Sequence, residues 1–315
     1  MDSVSNSEIK CFKRCRRKWW LTYYRQLQPM STAGDAIGPR GIGNRVHACL
    51  AAFYEPGSLD VAVAMSVHEA LVKDDLARLE ASGGDLAKYT KEADLSCAML
   101  AGYFEWLEDE GVDEGLTVAG VETELQAELP ITLARSVTIR GKLDKRVVRD
   151  RDGARLFLDH KTVQEFTTPS RVLHLDEQFL MYELLETLNG IAEDDRCDGG
   201  LYNMLRKVKR TAGAKPPFYM RLEIRHNIHE LRAFYDRLRA ELLDMYELRE
   251  QLDAGRTEAA YPNPTRDCSW DCDFFAVCGL LNDPSSDAEF VIGNAYRVGD
   301  PYARYGDATM KETIE

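Results

Sequence analysis

The feature that most constrains the fold is a change of hydrophobic period at Leu116. Before it, residues 60–83 and 90–110 repeat Leu, Val, Ala and aromatic side chains at helical spacing. After it, residues 116–129 and 136–148 alternate at period 2, as strands do. A chain that carries both periods in separate blocks is predicted to form a mixed α/β fold.

The remaining elements follow from the same patterns. The turn Asp150-Arg151-Asp152-Gly153 predicts a hairpin. Helices are expected over 3–27, 44–54, 170–189 and 228–253, and strands over 155–162 and 200–207. The tail over 284–315 has weak periodicity and is expected to be loosely ordered.

Composition narrows the function classes. The 315 residues include 53 acidic and 40 basic side chains, a net charge of −13, which argues against a purely electrostatic nucleic-acid binder. The basic residues are clustered, however, in 10–25, 140–155 and 206–215. No secretory leader and no run approaching the roughly 18 apolar residues of a membrane span is visible. We therefore expect a soluble, cytoplasmic protein without a membrane partner.

The strongest site pattern joins two neighbouring predicted strands. Asp144 lies on one strand and Asp159-His160-Lys161 on the next, so the hairpin can place the two carboxylates side by side. Close carboxylates repel and are tolerated best with a divalent cation between them. Lys161 projects to the same face as Asp159. Such a set can bind a scissile phosphate and orient a water, although D-x-K alone is a common tripeptide on solvated strands.

Two weaker patterns lie on predicted helices. His47 follows Gly43 by four residues, but a lone helical histidine is more often a core or surface residue than a ligand. Gln178 and Tyr182 share a helix face at i and i+4, a spacing that ordinary packing also produces.

Eight cysteines in a cytosolic chain are more often thiols or metal ligands than disulfides. Cys268, Cys272 and Cys278 form a C-x3-C-x5-C window, and a closed site needs a fourth ligand, for which Cys11 and Cys15 are the candidates. Spacing alone leaves zinc and an iron–sulfur cluster both open.

Taken in order, these motifs resemble the RecB-type nucleases of the PD-(D/E)XK superfamily. The motifs are G-x3-H at 43–47, G-K-L-D at 141–144, D-H-K at 159–161 and Q-x3-Y at 178–182. With C-R-R-K-W-W at 15–20 and the cysteine window, the chain is similar to the iron–sulfur branch. That branch includes the AddB nuclease domain and the CRISPR-associated single-domain exonucleases.

The resemblance implies a metal-dependent DNA exonuclease that acts on single-stranded ends. Asp144 and Asp159 would bind Mg²⁺ or Mn²⁺, with His47 as a further ligand. Lys161 would position the attacking water or stabilise charge on the phosphate. An ordinary lysine is a cation, which favours the electrostatic role over general-base duty.

The remaining motifs take their roles from the same resemblance. Gln178 and Tyr182 would contact the metal shell or the DNA. A [4Fe–4S] cluster that staples the chain ends together would be held by Cys15, Cys268, Cys272 and Cys278. The chain departs from the family in Arg16, where a proline is frequent, and in the x3 spacing of the window, and Cys11 is a rival fourth ligand.

The implied architecture is a restriction-endonuclease-like mixed sheet flanked by helices. One nuclease domain is expected over 1–283, with a helical insertion at 44–115, a catalytic α/β core at 116–210, and a C-terminal helix and cysteine window at 228–278. No Walker A motif occurs, so a helicase, recombination or CRISPR-adaptation partner would be a separate chain.

Two other function classes compete with the nuclease. A non-catalytic DNA-end binding or adaptor protein with the same fold is the main alternative, but it needs no paired carboxylates and lysine. A small iron–sulfur redox protein would leave His47 and Asp159 unexplained, and no flavin or nicotinamide fingerprint is present.

Overall fold

A computed structural model describes residues 3–30, 36–190, 197–303 and 305. The helices are α1 (Asn6–Arg14), α2 (Arg16–Trp19), α3 (Pro39–Tyr54), α4 (Val61–Ser82), α5 (Leu86–Glu110), α6 (Thr167–Val172), α7 (Glu177–Asn189), α8 (Ile228–Asp253), α9 (Cys268–Asp271), α10 (Phe275–Cys278) and α11 (Ala288–Ala295). The strands are β1 (Ser3–Ser5), β2 (Leu27–Pro29), β3 (Leu116–Thr132), β4 (Arg135–Arg149), β5 (Arg155–Val163), β6 (Gly199–Arg206), β7 (Tyr219–Ile224) and β8 (Tyr296–Val298).

The chain divides into two compact units. The sheet unit comprises Ser31–Leu125 and Gly141–Arg232, and the terminal unit comprises Met1–Met30, Gln126–Arg140 and Ala233–Glu315. The single nuclease domain over 1–283 and its subdivisions stay predictions.

The sheet unit contains a mixed sheet. β4 pairs antiparallel with β5, β5 parallel with β6, and β6 antiparallel with β7. One face of the sheet packs on α3 and α5, where Val46, Leu50 and Tyr103 share a core with Leu205 and Tyr219, and α4 packs on these two helices. The other face packs on α7 through aromatic contacts of Phe157 and Tyr202 with Phe179. The expected mixed α/β fold, with helices on both faces of a central sheet, is confirmed.

Strand β7 is an element that the sequence patterns did not predict. It follows the basic, turn-rich segment 207–217, and Arg221 and Glu223 interrupt its apolar pattern. Its register on β6, with Met204 opposite Met220, supplies the backbone hydrogen bonds that the local sequence did not suggest.

In the terminal unit, β1 pairs parallel with the start of β4, and β2 pairs antiparallel with β8. The single helix predicted over 3–27 is wrong, because the chain is extended at Cys15, with φ −163° and ψ 113°. Ser5 caps α1 by accepting from the Glu8 N–H, and Cys15 caps α2 through its sulfur, which accepts from the Lys18 N–H at 3.5 Å. A π-helical turn over Trp20–Tyr24 follows.

The helix predicted over 170–189 is also interrupted. Asp176 adopts an extended conformation and caps α7 by accepting from the Gln178 N–H at 2.8 Å, so α6 and α7 are separate. Helix α3 begins at Pro39, earlier than predicted, after Gly38 at a φ of 89°.

The segment after residue 283 contains local structure where residues 284–303 are described. α11 begins after Asp287, whose side chain accepts from the Phe290 N–H at 3.0 Å, and β8 pairs with β2. Residues 306–315, also part of the tail expected to be loose, lie outside the described residues. None of the described helices combines the length and apolar character needed to cross a bilayer.

Candidate functional site

The two predicted acidic residues lie where the β4–β5 ladder ends. The register runs from Val148 opposite Arg155 to Lys145 opposite Leu158, and Asp144 and Asp159 follow immediately. The Asp144 Oδ2 atom accepts a hydrogen bond from the backbone N–H of His160 at 2.7 Å. Asp144 is therefore held by the backbone of the D-H-K motif itself.

Each carboxylate has its own basic neighbour. His47 Nδ1, on α3, lies 3.3 Å from Asp144 Oδ1, and Lys161 Nζ lies 2.6 Å from Asp159 Oδ2. Burial opposes the charged form of both bases, but the carboxylates outweigh it, so the pKa values of His47 and Lys161 are raised. Lys161 is therefore held as a cation at neutral pH, as the electrostatic role requires.

Burial raises the pKa of Asp159, and the charge of Asp144 adds to this effect although the Lys161 ammonium opposes it. For Asp144, burial acts in the same upward direction but is outweighed by His47, so its pKa lies well below its usual range. The pair consequently resists carrying two full negative charges without further compensation.

Helix α7 also supports Asp159, through hydrogen bonds of its polar side chains. Gln178 Nε2 donates to Asp159 Oδ1 at 3.1 Å and to the Tyr182 hydroxyl at 2.8 Å, and Tyr182 in turn donates to the Lys142 carbonyl at 2.9 Å. A Cβ on Gly141 would lie 2.9 Å from the Tyr182 ring, so glycine is needed for this close approach. The structure thus brings together His47, Asp144, Asp159, Lys161, Gln178 and Tyr182.

These side chains fit a hard divalent cation in the identity of their donors. The two carboxylates are the ligand type that Mg²⁺ and Mn²⁺ prefer, whereas the His47 imidazole is more typical of softer transition metals. Asp159 Oδ2 is buried and, within the described residues, accepts no well-aligned hydrogen bond, so its charge is left for Lys161 or a cation. Among all the residues that the structure describes, no group of three or more His, Cys, Asp or Glu side chains is already arranged as a metal site.

The cysteines predicted as cluster ligands lie in the terminal unit. Cys272 has Cys268 and Cys15 among its electrostatic neighbours, and Cys11 has Cys15 and Cys272. Burial raises the pKa of Cys11 to about 12, whereas hydrogen bonds from Thr265 lower the pKa of Cys268. Burial therefore opposes ionisation of the rival ligand Cys11.

Backbone N–H groups point at two of the sulfurs. Cys15 Sγ accepts from Lys18 and Asn263 at 3.5 and 3.4 Å, and Cys268 Sγ accepts from Thr265 at 3.3 Å. Such donors stabilise thiolates.

Cys278 is tied to the N-terminal segment by Arg17. The Arg17 Nη1 atom donates to the Cys278 carbonyl at 3.0 Å and lies 4.0 Å from its sulfur, and it also donates to Asn282 Oδ1 at 2.7 Å. Direct hydrogen bonds therefore already connect the two segments that carry the predicted ligands.

No sequence motif points to a polar row that crosses β5, β6 and β7 next to the site. His160, Asn203 and Arg221 are neighbours on β5, β6 and β7, with His160 opposite Asn203 and Asn203 opposite Arg221. The available signal was the polar Asn203 inside the otherwise apolar strand β6.

Comparison with known proteins gives the family. The model of the PD-(D/E)XK nuclease superfamily matches residues 3–279, which is most of the chain. Among curated proteins, none matches the chain. The matched range includes residues 43–47, 141–144, 159–161 and 268–278, and the fold has the expected mixed sheet between helices. On this evidence the chain belongs to the PD-(D/E)XK nuclease superfamily.

Proposed function

We propose that this nuclease is a RecB-like exonuclease that uses Mg²⁺ or Mn²⁺ to hydrolyse DNA from single-stranded ends. The observation that carries the proposal is the set of acidic and basic groups at the end of the β4–β5 ladder. Asp144, Asp159 and Lys161 lie on adjacent strands, and His47 contacts the first of them.

The catalytic roles follow from these contacts. Asp144, Asp159 and His47 would hold the cation, which would supply Lewis acidity at the scissile phosphate and a more acidic water. Lys161 carries the positive charge that binds a phosphate oxygen and stabilises the negative charge that develops on it. Gln178, fixed by Tyr182, keeps the Asp159 carboxylate in one orientation.

A path for the DNA is supported by the basic segment 206–215. β5 and β6 are parallel, with Lys161 opposite Met204 and Val163 opposite Arg206. The basic segment therefore begins at the same end of the strands as the D-H-K motif. Some of the positive charge of this segment is already paired, because Lys209 lies 3.9 Å from Asp94 and Arg210 pairs with Glu105.

The substrate is DNA ends, and a helicase or a recombination or CRISPR-adaptation factor would act as a separate partner chain.

The cofactor of the terminal unit is, in our proposal, a [4Fe–4S] cluster of the RecB-like iron–sulfur branch. Cys15, Cys268, Cys272 and Cys278 would hold it. The N–H donors to Cys15 and Cys268 support thiolate ligation at these two positions.

A DNA-end adaptor that keeps the fold without cleavage is the second candidate. The observation in its favour is that His47 and Lys161 each lie beside one of the carboxylates, so part of the negative charge is balanced by the protein itself. The two functions differ in one result, since an adaptor binds linear DNA but leaves it intact with Mn²⁺ present.

The test is cleavage of end-labelled linear DNA with Mg²⁺, Mn²⁺ or a chelator. We expect metal-dependent loss of nucleotides from single-stranded ends, and Asp159→Ala should lower the rate by at least about a thousandfold while DNA binding is retained. The control is Asp152→Ala in the exposed turn of the same hairpin, which should cleave like wild type. Wild-type cleavage by Asp159→Ala would overturn the catalytic assignment.

The cofactor has a separate test in the absorption spectrum of anaerobically purified protein. A broad band at about 400 nm, together with iron in the sample, is expected for a thiolate-bound cluster. Cys15→Ala should abolish the band and Cys11→Ala should not. A colourless wild type that contains zinc would contradict the iron–sulfur assignment.

A further inference from the structure

A row of polar side chains crosses β5, β6 and β7 next to the D-H-K motif, buried at His160 and Asn203 and partly buried at Arg221. His160, Asn203 and Arg221 occupy neighbouring positions on three adjacent strands. His160 is 2% exposed and Asn203 is 0% exposed, on the sheet face that packs against α3 and α5. Buried polar side chains are costly unless they are hydrogen-bonded, so the presence of this row calls for an explanation.

The orientation of Asn203 is set by Arg221. Arginine only donates hydrogen bonds, and Arg221 Nε reaches Asn203 Oδ1 at 3.0 Å, so that atom is the amide oxygen. The amide nitrogen then faces His160 Nδ1 at 2.9 Å and the Tyr103 hydroxyl at 3.1 Å. Asn203 therefore donates to the His160 ring and fixes its rotation.

The Arg221 end of this polar row is anchored by Asp113. Its carboxylate accepts from Arg221 Nη1 at 2.6 Å and from the Tyr54 hydroxyl at 2.6 Å. The Tyr54 ring in turn stacks on the His160 ring, with 5.8 Å between centroids and 17° between planes. The network thus closes on His160 from two sides, through Asn203 and through Tyr54.

The His160 end of this polar row reaches the proposed metal ligands. The His160 backbone N–H donates to Asp144 Oδ2 at 2.7 Å, and the same residue lies between Asp159 and Lys161 in sequence. Any rotation of this backbone segment would move the hydrogen bond to Asp144 and the directions of both neighbouring side chains.

We propose that Asn203 and Arg221 are positioning residues of the nuclease site, which hold His160 so that its backbone keeps Asp144, Asp159 and Lys161 in register for a divalent cation. This inference rests on the proposed function of these carboxylates as metal ligands. The cation supplies Lewis acidity when bound, and the network supplies the fixed ligand geometry.

A purely structural role is the competing explanation, and the network argues against it physically. An apolar cluster would fill the same space without the cost of desolvating Asn203 and most of the Arg221 side chain, and buried charged groups are often replaced by apolar side chains without loss of stability. Partners that orient metal ligands, in contrast, typically change metal affinity or activity by ten- to a hundredfold when they are removed.

The experiment is a Mn²⁺ titration of the full chain, in which electron paramagnetic resonance measures the free ion. Steady-state DNA cleavage is measured on the same proteins. Asn203→Leu keeps the side-chain size and removes the hydrogen bonds. We expect Mn²⁺ affinity and kcat each to fall by about tenfold, with KM for DNA unchanged. The matched control is Leu201→Ala, which opens a cavity on the same face of β6 and should lower the melting temperature while Mn²⁺ affinity stays that of wild type.

Arg221→Lys is the second variant if Asn203→Leu does not fold, since lysine keeps the charge beside Asp113 but cannot bridge to Asn203. It should weaken Mn²⁺ binding in the same direction. Wild-type Mn²⁺ affinity in the folded variant, or an equal loss in Leu201→Ala, overturns the positioning role. Asp159→Ala separates the two proposals. If this variant binds Mn²⁺ like wild type, the metal-site assignment is wrong and the positioning role is wrong with it. If Asp159→Ala loses Mn²⁺ binding but Asn203→Leu binds Mn²⁺ like wild type, only the positioning role is wrong.

Discussion

The sheet unit and the terminal unit hold their reactive groups in different ways. In the sheet unit, Asp144 and Asp159 follow a paired ladder, and each has a hydrogen bond and a basic partner within the unit. In the terminal unit, the window cysteines lie on α9, on α10 and in the turn between them, and their side chains are only partly buried. Short helices bury little apolar surface, so a bound cluster would add the stability that they lack. The comparison teaches that damage to the first site should cost rate and damage to the second should cost stability.

The largest expected effect on stability comes from removing a predicted cluster ligand. Cys272→Ala should lose iron, soluble yield and thermal stability together, by several kcal/mol, because ligand binding contributes directly to folding. Iron analysis and thermal melting measure this. Cys97→Ala, at a partly buried cysteine of α5 outside the window, is the control and should keep its iron. A Cys272→Ala protein that loses iron but melts like wild type would remove the contrast between the units.

A second effect in the terminal unit depends on pH. Burial raises the pKa of Glu8 to about 7, although the hydrogen bond from Trp19 Nε1 and the charge of Arg249 oppose the shift. Ionised Glu8 therefore destabilises the folded state, with no penalty below the unfolded pKa of 4.5 and the full penalty above about 7. The stability of Glu8→Gln relative to wild type should grow by about 3 kcal/mol between these limits.

Chemical denaturation at pH 4.5 and 7.5 measures the Glu8 effect. The control is Glu289→Gln, at an exposed carboxylate that pairs with Arg25, where the difference should stay nearly constant. A Glu8→Gln advantage that is equal at both pH values would show that Glu8 is not held near neutrality by its burial.

The sheet unit should also lose stability as the pH rises, through His226. Burial lowers its pKa, but the Glu183 carboxylate at 2.8 Å and the His174 carbonyl at 3.0 Å outweigh this, so the net shift is upward. The stabilisation is complete below the unfolded value of 6.5 and is lost as the pH rises through the folded pKa. His226→Gln should cost about 2 kcal/mol at pH 5.5 and less at pH 9, measured by urea unfolding. A cost that increases with pH would contradict this assignment.

The smallest expected effect concerns the basic segment. Changing Arg206, Lys207 and Lys209 together to Ala should flatten the dependence of single-strand affinity on salt by roughly one to two units, at about 0.7 per phosphate contact. Binding should weaken equally for every sequence, and cleavage at saturating DNA should change little. Arg237→Ala on α8, outside the three basic clusters, is the control and should leave the slope unchanged. An unchanged slope in the triple variant would show that this segment does not contact DNA.

Much of the sheet unit could be predicted from the sequence. Alternation over 116–129 and 136–148 predicted β3 and β4 because the side-chain period of a strand is a local property of the backbone. The turn ending at Gly153, with a φ of 68°, followed from the need for a left-handed residue there. The same local logic placed Asp159 and Lys161 on one face, and Gln178 and Tyr182 on one helix.

Other features depended on contacts between residues that are distant in sequence. The break at Cys15 reflects a sulfur that accepts from the Lys18 and Asn263 N–H groups, and no helix propensity at 3–27 signals it. β7 exists because β6 provides its pairing partner. The row of His160, Asn203 and Arg221 arises only once three strands are in register, since the strand period shows which face a side chain takes but not which residue lies opposite. The sequence by itself therefore determined the type of chemistry available at residues 144–161, and the tertiary structure decided which groups support it, because cross-strand pairing is a property of the assembled sheet.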